Sequence, residues 1–311
     1  MVQNPWCIQV EFVQGCNRRC IFCGIRGIAS EKQKGDRFIS LEQLTKTFTE
    51  LNGWLPKIRV EVGHHGEPTL HPKFLESIAV IRTAMPTAGI SVQSNTESWI
   101  TKAPEFIEQM FQAGVNLLIL NAYKVGLYEW WVEHLHDWNF QWTDYYYNNP
   151  NNLSIYGYRK PSEHTVLLLD DLAKINSKGI ANSSKTIRNS AGNSDEDLML
   201  KMFGRPKSIV PLHSKCSKVY REIILNWDGT IPVCCQDWND VQLIGDNKTQ
   251  HIQNIWLSDK FNAIRELLFR HRRDLLEPCK TCDDPTTRTG LLKSQSAYSQ
   301  QAITELLEKI K

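Results

Sequence analysis

Cys16, Cys20 and Cys23 stand in the run Gly15-Cys16-Asn17-Arg18-Arg19-Cys20-Ile21-Phe22-Cys23-Gly24. Thiolates at C-x3-C-x2-C spacing can each hold one iron of a cubane and leave the fourth iron without a protein ligand. An open coordination position is a catalytic design, as opposed to a closed structural site. Zinc is the alternative, although zinc sites usually present two ligand pairs. A second set lies far downstream: Cys216, Cys234 and the pair in Cys279-Lys280-Thr281-Cys282. Four thiolates close a coordination shell, which suits one [4Fe–4S] cluster and also structural zinc. Cys235 could exchange with Cys234, and Cys7, with no partner at ligand spacing, reads as a buried strand residue. The nine cysteines are odd in number and mostly clustered, which favours metal binding over a disulfide framework.

The elements around the first set alternate strand and helix. Strands are expected at residues 7–13, 57–62, 89–93, 115–120 and 165–169, with a weaker sixth at 180–187. Helices are expected at 41–51, with Ser40 as N-cap and Gly53 as stop, and at 74–84, 104–113 and 172–177. This alternation predicts an α/β fold with a parallel sheet and outer helices. Six units fall short of the eight-stranded barrel and suit a partial (β/α)6 TIM-like barrel followed by a small C-terminal iron–sulfur cluster domain. The expected boundaries are 1–205 for the barrel, 206–290 for the cluster domain and 291–311 for a C-terminal helix. Residues 123–158 carry twelve of the thirty aromatics, enough to form a lid, a packing layer or a substrate wall. Residues 183–208 read as a polar linker or active-site loop. Glu222 to Val233 reads as an antiparallel hairpin turning at Asp228-Gly229.

The N-terminal cysteines, with Phe22 in the aromatic position, resemble the C-x3-C-x-aromatic-C signature of the radical S-adenosylmethionine (SAM) superfamily. The resemblance implies that SAM chelates the open iron through its amino and carboxylate groups. Reductive cleavage of SAM would then give a 5′-deoxyadenosyl radical that abstracts hydrogen from a substrate. Gly66-Glu67-Pro68 is similar to the family's G-G-E-P segment, which meets the SAM amino group, with His65 where a Gly usually stands. Asn95 resembles the strand-end T-N-G, with Thr96 replacing Gly. Asn121 and Arg188 match positions near the SAM ribose and carboxylate. The downstream set, with Gly229 five residues before Cys234, resembles the SPASM family of auxiliary-cluster domains over residues 213–284. That family's longer version has three further cysteines; none follows Cys282, so one auxiliary cluster is expected.

The resemblance implies a radical SAM oxidoreductase or maturase with two [4Fe–4S] clusters and SAM. Its electron donor would be a flavodoxin or ferredoxin. Its substrate is expected to be a peptide or protein side chain, with dehydrogenation or rearrangement of a sugar or other small molecule as the alternative. A reading from another class is a non-catalytic metal-binding adaptor. Nothing in the sequence marks a general base, although Glu11, Glu61, Tyr123 and Lys124 could face the barrel interior.

Composition bounds the partners. The 311 residues carry a formal charge of +2, which gives no electrostatic case for nucleic acid or an anionic membrane. The basic run Arg270, His271, Arg272 and Arg273 reads as the solvated end of a helix. No apolar run reaches the roughly 20 residues of a membrane span, and the first residues lack a secretory pattern. A cytoplasmic location is expected.

Overall fold

The computed structural model describes residues 3–26, 37–124, 126–144, 160–169, 188–285 and 300–310. Seven parallel strands form its main sheet: β1 (Cys7–Val10), β4 (Arg59–Val62), β5 (Gly89–Ser94), β6 (Leu117–Asn121), β7 (Trp142–Asp144), β8 (Thr165–Leu169) and β9 (Glu222–Leu225). Their order is β7-β8-β6-β5-β4-β1-β9. A short antiparallel pair, β2 (Val13–Gln14) with β3 (Arg37–Phe38), flanks the first cysteine loop.

Period-two alternation divides each strand between two environments. Ile8, Val10, Val60, Val62, Ile90, Val92, Leu118 and Leu120 turn outward into the main hydrophobic core. There they meet α1 (Leu41–Trp54), α2 (Phe74–Ala84) and α3 (Glu105–Ala113), whose Leu44, Phe48, Ile78, Ile81, Ile107 and Met110 are fully buried. The intervening residues turn inward. Gln9, Glu61, Ser91 and Gln93 make a polar stretch, while Leu117, Ile119, Leu167 and Leu169 form a separate apolar cluster on the neighbouring strands. The sheet is therefore curved around an interior lined half by polar and half by apolar side chains.

Local signals set most helix ends. Ser40 accepts a hydrogen bond from the Gln43 backbone N–H (3.0 Å), the expected N-cap. Gly53 does not stop α1, which continues to Trp54. Gly114 ends α3 in the left-handed conformation.

Three expectations change. The aromatic stretch contains α4 (Leu127–Asp137) and β7. In α4, Trp131 and Leu135 are buried, Trp130 and Trp138 are packed against the core, and Glu129 is in the first turn, so a 3.6-residue apolar face lay inside the aromatic richness. The polar stretch after 188 contains α5 (Glu196–Phe203), capped by Asp195 and stopped by Gly204. The hairpin of residues 222–233 does not form as expected. The turn at Asp228-Gly229 is present, with Gly229 at φ +85°. The strand before it, however, pairs in parallel with β1, Cys7 opposite Glu222 and Val10 opposite Leu225. The strand after it, β10 (Thr230–Pro232), pairs antiparallel with β11 (Leu243–Asp246). All four residues of β9 are buried, Glu222 with Gln9, Lys218 and Arg221 around its carboxylate and the other three as apolar residues of a strand inside a parallel sheet.

α6 (Ile252–Leu257), α7 (Asp259–Phe269) and α8 (Gln300–Glu308) complete the described elements. The expected helix at 172–177 and strand at 180–187 lie outside the described residues, as do aromatics 145–158. Among the described residues no helix is long and apolar enough to cross a membrane.

Candidate active site

The first cysteine loop leaves β2 and folds back on itself where the Cys23 N–H donates to the Cys20 carbonyl (3.1 Å). All three thiols are half-buried. Burial pushes Cys16 up to about 11 and Cys23 up to about 12, and the neighbouring thiols of the loop add to both. A bound cation reverses the effect, because a coordinating thiol is deprotonated outright. The Arg18 N–H (3.4 Å) and Asn95 Nδ2 (3.6 Å) donate to Cys16 Sγ. The ring of Phe22 tilts against Tyr123, with centroids 6.0 Å apart.

The G-E-P turn is pressed against this loop. A Cβ on Gly66 would run into the carbonyl oxygens of Val13 and Gly15, so only glycine lets the two backbones approach. The Glu67 N–H donates to the Gly15 carbonyl (2.9 Å). The buried Glu67 carboxylate spans two elements. Its Oε1 accepts from Thr69 N–H (3.2 Å), Thr69 Oγ1 (2.6 Å) and Ser94 Oγ (2.9 Å), and its Oε2 from Asn95 N–H (2.7 Å). Burial raises its pKa despite these four donors. Asn95 in turn donates to Asn17 Oδ1 (2.7 Å), and Asn121 donates to the Ser94 carbonyl (3.3 Å). Gly66, Glu67 and Asn95 thus meet the loop of Cys16, while Asn121 is joined to Ser94 and Gln93. Thr96, where the family has Gly, sits buried at φ +68°, a region that disfavours β-branched residues.

Arg188 is half-buried, and among the described residues no hydrogen bond joins it to Glu67, Asn95 or Asn121. The residues after it form a strap between the two cysteine regions. Ser190 Oγ donates to the Phe22 carbonyl (3.3 Å), Asn189 Nδ2 to the Thr281 carbonyl (2.8 Å), and Thr281 Oγ1 to the Ala191 carbonyl (2.7 Å). Nothing in the local sequence announced this strap, because its partners are distant in the chain.

Cys216, Cys234, Cys279 and Cys282 are all buried. Burial holds the Cys234 thiol well above its ordinary range, and Cys235, Cys279, Cys216 and Cys282 raise it further. Among the described residues, no three His, Cys, Asp or Glu side chains are grouped to hold a single metal ion. A cubane takes its thiolates on separate irons and does not require that closeness. Arg273 corrects the solvated-helix-end expectation for residues 270–273. It is 1% exposed, and it donates to the carbonyls of Ser214 (2.9 Å), Lys215 (3.0 Å) and Asp284 (2.8 Å). It clamps the loops that lead into Cys216 and out of Cys282. Of the rest of the run only His271 is exposed; Arg270 and Arg272 are half-buried and pair with Glu266 and Asp274 (2.8 Å each).

Between the two regions lies a chamber of about 240 Å³. Gln9, Glu61, Ser91, Gln93 and His64 line it from the sheet, Leu117 and Ile119 from the apolar side, and Cys235, Gln236 and Trp238 from the segment after Cys234. Trp238 stacks on His65 (3.9 Å), and His65 stacks on His64 (3.5 Å). A Cβ on Gly24 would collide with the Trp238 indole. Burial keeps the Glu61 carboxyl above its usual range, opposed by its ion pair with Arg59. Burial also holds His64 well below 6.5. Tyr123 and Lys124 lie elsewhere, around Arg18 and Glu97: Arg18 stands over the Tyr123 ring, and Lys124 pairs with Glu97 (3.1 Å).

Residues 10–127 match the radical SAM superfamily, and residues 216–283 match an iron–sulfur cluster-binding domain, SPASM. A curated relative is the S-adenosyl-L-methionine-dependent 2-deoxy-scyllo-inosamine dehydrogenase of Niallia circulans. It is 29% identical over 97 residues, which are 30% of this chain and 39% of that protein. The match therefore spans well under half of the relative's length. The fold is similar to the crystal structure of BtrN in complex with AdoMet and 2-DOIA, with a TM-score of 0.63 and 18% identity over 91% of this chain and 95% of that one. Against BtrN in an open conformation the TM-score is 0.58 and the identity 15%, over 93% and 100% of the two chains.

Proposed function

We propose that this chain, which belongs to the radical SAM superfamily and carries a C-terminal SPASM iron–sulfur domain, oxidises a secondary alcohol of a small polyhydroxylated ring to a ketone. The observation that carries the reading is the chamber between its two cysteine regions. At about 240 Å³ it is smaller than the roughly 300–1,000 Å³ of drug-sized clefts. One wall offers amides, a hydroxyl, a carboxyl and an imidazole, the donors and acceptors that several ring hydroxyls require. Leu117 and Ile119, on the strand beside Ser91 and Gln93, add an apolar strip that suits the ring's C–H face.

In this reading Cys16, Cys20 and Cys23 hold the cluster that binds SAM. Gly66, Glu67, Asn95 and Asn121 shape the place of SAM beside it. Arg188, whose guanidinium fork suits a carboxylate, is the weaker member of the set. When bound, cluster and SAM supply the abstraction of one hydrogen atom from a substrate carbon. Cys216, Cys234, Cys279 and Cys282 hold the second cluster, within residues 206–290. An external flavodoxin or ferredoxin supplies the reducing electron. The chain's own work is to orient the alcohol in the chamber and to exclude water with Gln236 and Trp238. Excluding water protects a reactive radical from side reactions.

The test is an anaerobic assay of reconstituted protein against 2-deoxy-scyllo-inosamine, related aminocyclitols and a set of Cys- and Ser-containing peptides. The expected result is a carbonyl product formed with 5′-deoxyadenosine from a cyclitol. Modification of a peptide alone would overturn the small-alcohol reading and restore the side-chain expectation.

A further inference from the structure

Three chamber-lining side chains stand in register on neighbouring strands: Gln9 on β1, Glu61 on β4 and Ser91 on β5. Two of them are tied back to the protein. Gln9 Nε2 donates to Glu222 (3.3 Å) and Ser91 Oγ to the Val60 carbonyl (3.2 Å). Glu61 differs. Its side chain keeps 28% exposure although β4 is an inner strand of the sheet. Because Glu61 points to the inner face with Gln9 and Ser91, that exposed surface opens into the chamber. Among the described residues its carboxylate is paired with Arg59 alone, through Oε1. The next nearest charges, Glu222 and Lys218, are occupied elsewhere. They pair with each other (3.9 Å), Glu222 also with Arg221 (3.1 Å) and Lys218 also with Asp284 (3.5 Å). Of the described residues that line the chamber, Glu61 is the only carboxylate, and none is Lys or Arg.

We infer that Glu61 holds a primary ammonium group on the substrate ring, and that this contact selects amino-bearing rings over neutral ones. The inference rests on the alcohol-oxidation reading above and adds the substituent that the chamber recognises. An ammonium carries a charge opposite to the carboxylate and three N–H donors, with no acceptor of its own. Arg59 fixes one oxygen of Glu61 from behind and leaves the other as acceptor on the chamber side. The half-buried Gln9 uses its amide nitrogen on Glu222, so its amide oxygen is a second acceptor beside the first. Burial, reinforced by Glu222, keeps the Glu61 carboxyl above its usual range against the pull of Arg59. Arg59 therefore does not make up for the water that Glu61 has lost. A ligand ammonium supplies what is missing, a charge-assisted hydrogen bond in a site of low dielectric. A ring hydroxyl in the same place supplies the hydrogen bond without the charge.

The experiment uses full-length reconstituted protein and two rings, 2-deoxy-scyllo-inosamine and its analogue with a hydroxyl in place of the amine. Calorimetry with SAM present reads binding, and anaerobic turnover reads carbonyl formation. The wild type is expected to bind the amine about 30-fold more tightly than the analogue, the scale of a hydrogen bond to a charged group. Glu61→Gln should bring the two affinities to within about 3-fold of each other by weakening the amine alone. Glu61→Asp keeps the charge on a shorter stem and should keep part of the preference; it replaces the first variant if that one does not fold. Equal binding of the two rings by the wild type overturns the inference without any variant. So does a Glu61→Gln protein that keeps the preference, or one that loses affinity for both rings alike. The two readings fail separately. An amine preference that depends on Glu61, with no carbonyl formed from either ring, leaves this contact standing and sinks alcohol oxidation. Carbonyl formed from both rings with the same kcat/KM does the reverse, and binding of neither ring overturns both.

Discussion

The two cysteine regions solve opposite problems. The first is shallow: three half-buried thiols on a loop held mainly by backbone contacts with the Gly66-Glu67 turn. The second is deep: four buried thiols on segments clamped by the guanidinium of Arg273. A loop that must admit a ligand to an open metal position cannot be sealed, whereas a closed four-thiolate set can be. The number of protein ligands and the depth of burial therefore vary together, as expected if one region performs chemistry and the other stores or passes charge.

The sharpest break in this comparison comes from the thiols. Replacing Cys16, Cys20 or Cys23 by Ala should abolish 5′-deoxyadenosine formation under dithionite. Replacing Cys279 and Cys282 together should spare it and stop the carbonyl product. Iron analysis on the same samples should give about eight irons for the wild type and about four for the double variant. Four irons plus one zinc in the wild type would place zinc in the deep site. Wild-type SAM cleavage by any variant of the first set would undo the assignment of the shallow one.

Arg273→Ala should have the next largest effect. It leaves three part-buried carbonyls without their donor, and a loss of roughly 3 kcal/mol is expected from unsatisfied groups of this kind. Thermal melts and iron content should show the deep site lost before the shallow one. Equal losses at both sites would mean that the clamp serves the whole fold.

The smallest effect concerns His71, at the end of the G-E-P turn. Its Nε2 donates to the Ile39 carbonyl (2.9 Å) and its Nδ1 accepts from the Lys73 N–H (3.1 Å). The Nδ1 bond requires the neutral ring, and burial holds its pKa below 6.5 although the bond to Ile39 opposes this. The unfolded chain therefore takes up the proton first. The His71 contribution is complete above pH 6.5 and declines below it, by at most about 1.4 kcal/mol per pH unit. His64 adds a decline of the same sign. Melting temperatures between pH 7.5 and 5.5 should fall less steeply in His71→Gln than in the wild type.

What the sequence disclosed follows the range of the interactions. Cys16, Cys20, Cys23 and the Gly66-Glu67 turn were legible because their partners lie within short runs of chain. The outer faces of β4, β5 and β6 were legible because alternation is local. The parallel pairing of Glu222–Leu225 with β1 was not, since the Asp228-Gly229 turn favoured a hairpin and the true partner begins at Cys7. Arg273 looked solvated because its neighbours are, and only the fold reveals the carbonyls it meets.

The placement of β9 also bears on how the protein is made. β1 leaves the ribosome more than two hundred residues before Glu222–Leu225, the segment that pairs one of its two edges. Until then a nearly complete barrel carries an open, apolar strand edge, the kind of surface that recruits other chains. Synthesis at about 5–20 residues per second leaves that edge bare for many seconds. A shortened gene ending at residue 205 would leave it bare permanently, and its product should aggregate however well its own helices and strands form. The C-terminal part is thus the last stave of the barrel as well as the seat of four cysteines, and exchanging it between relatives would require carrying β9 along with it.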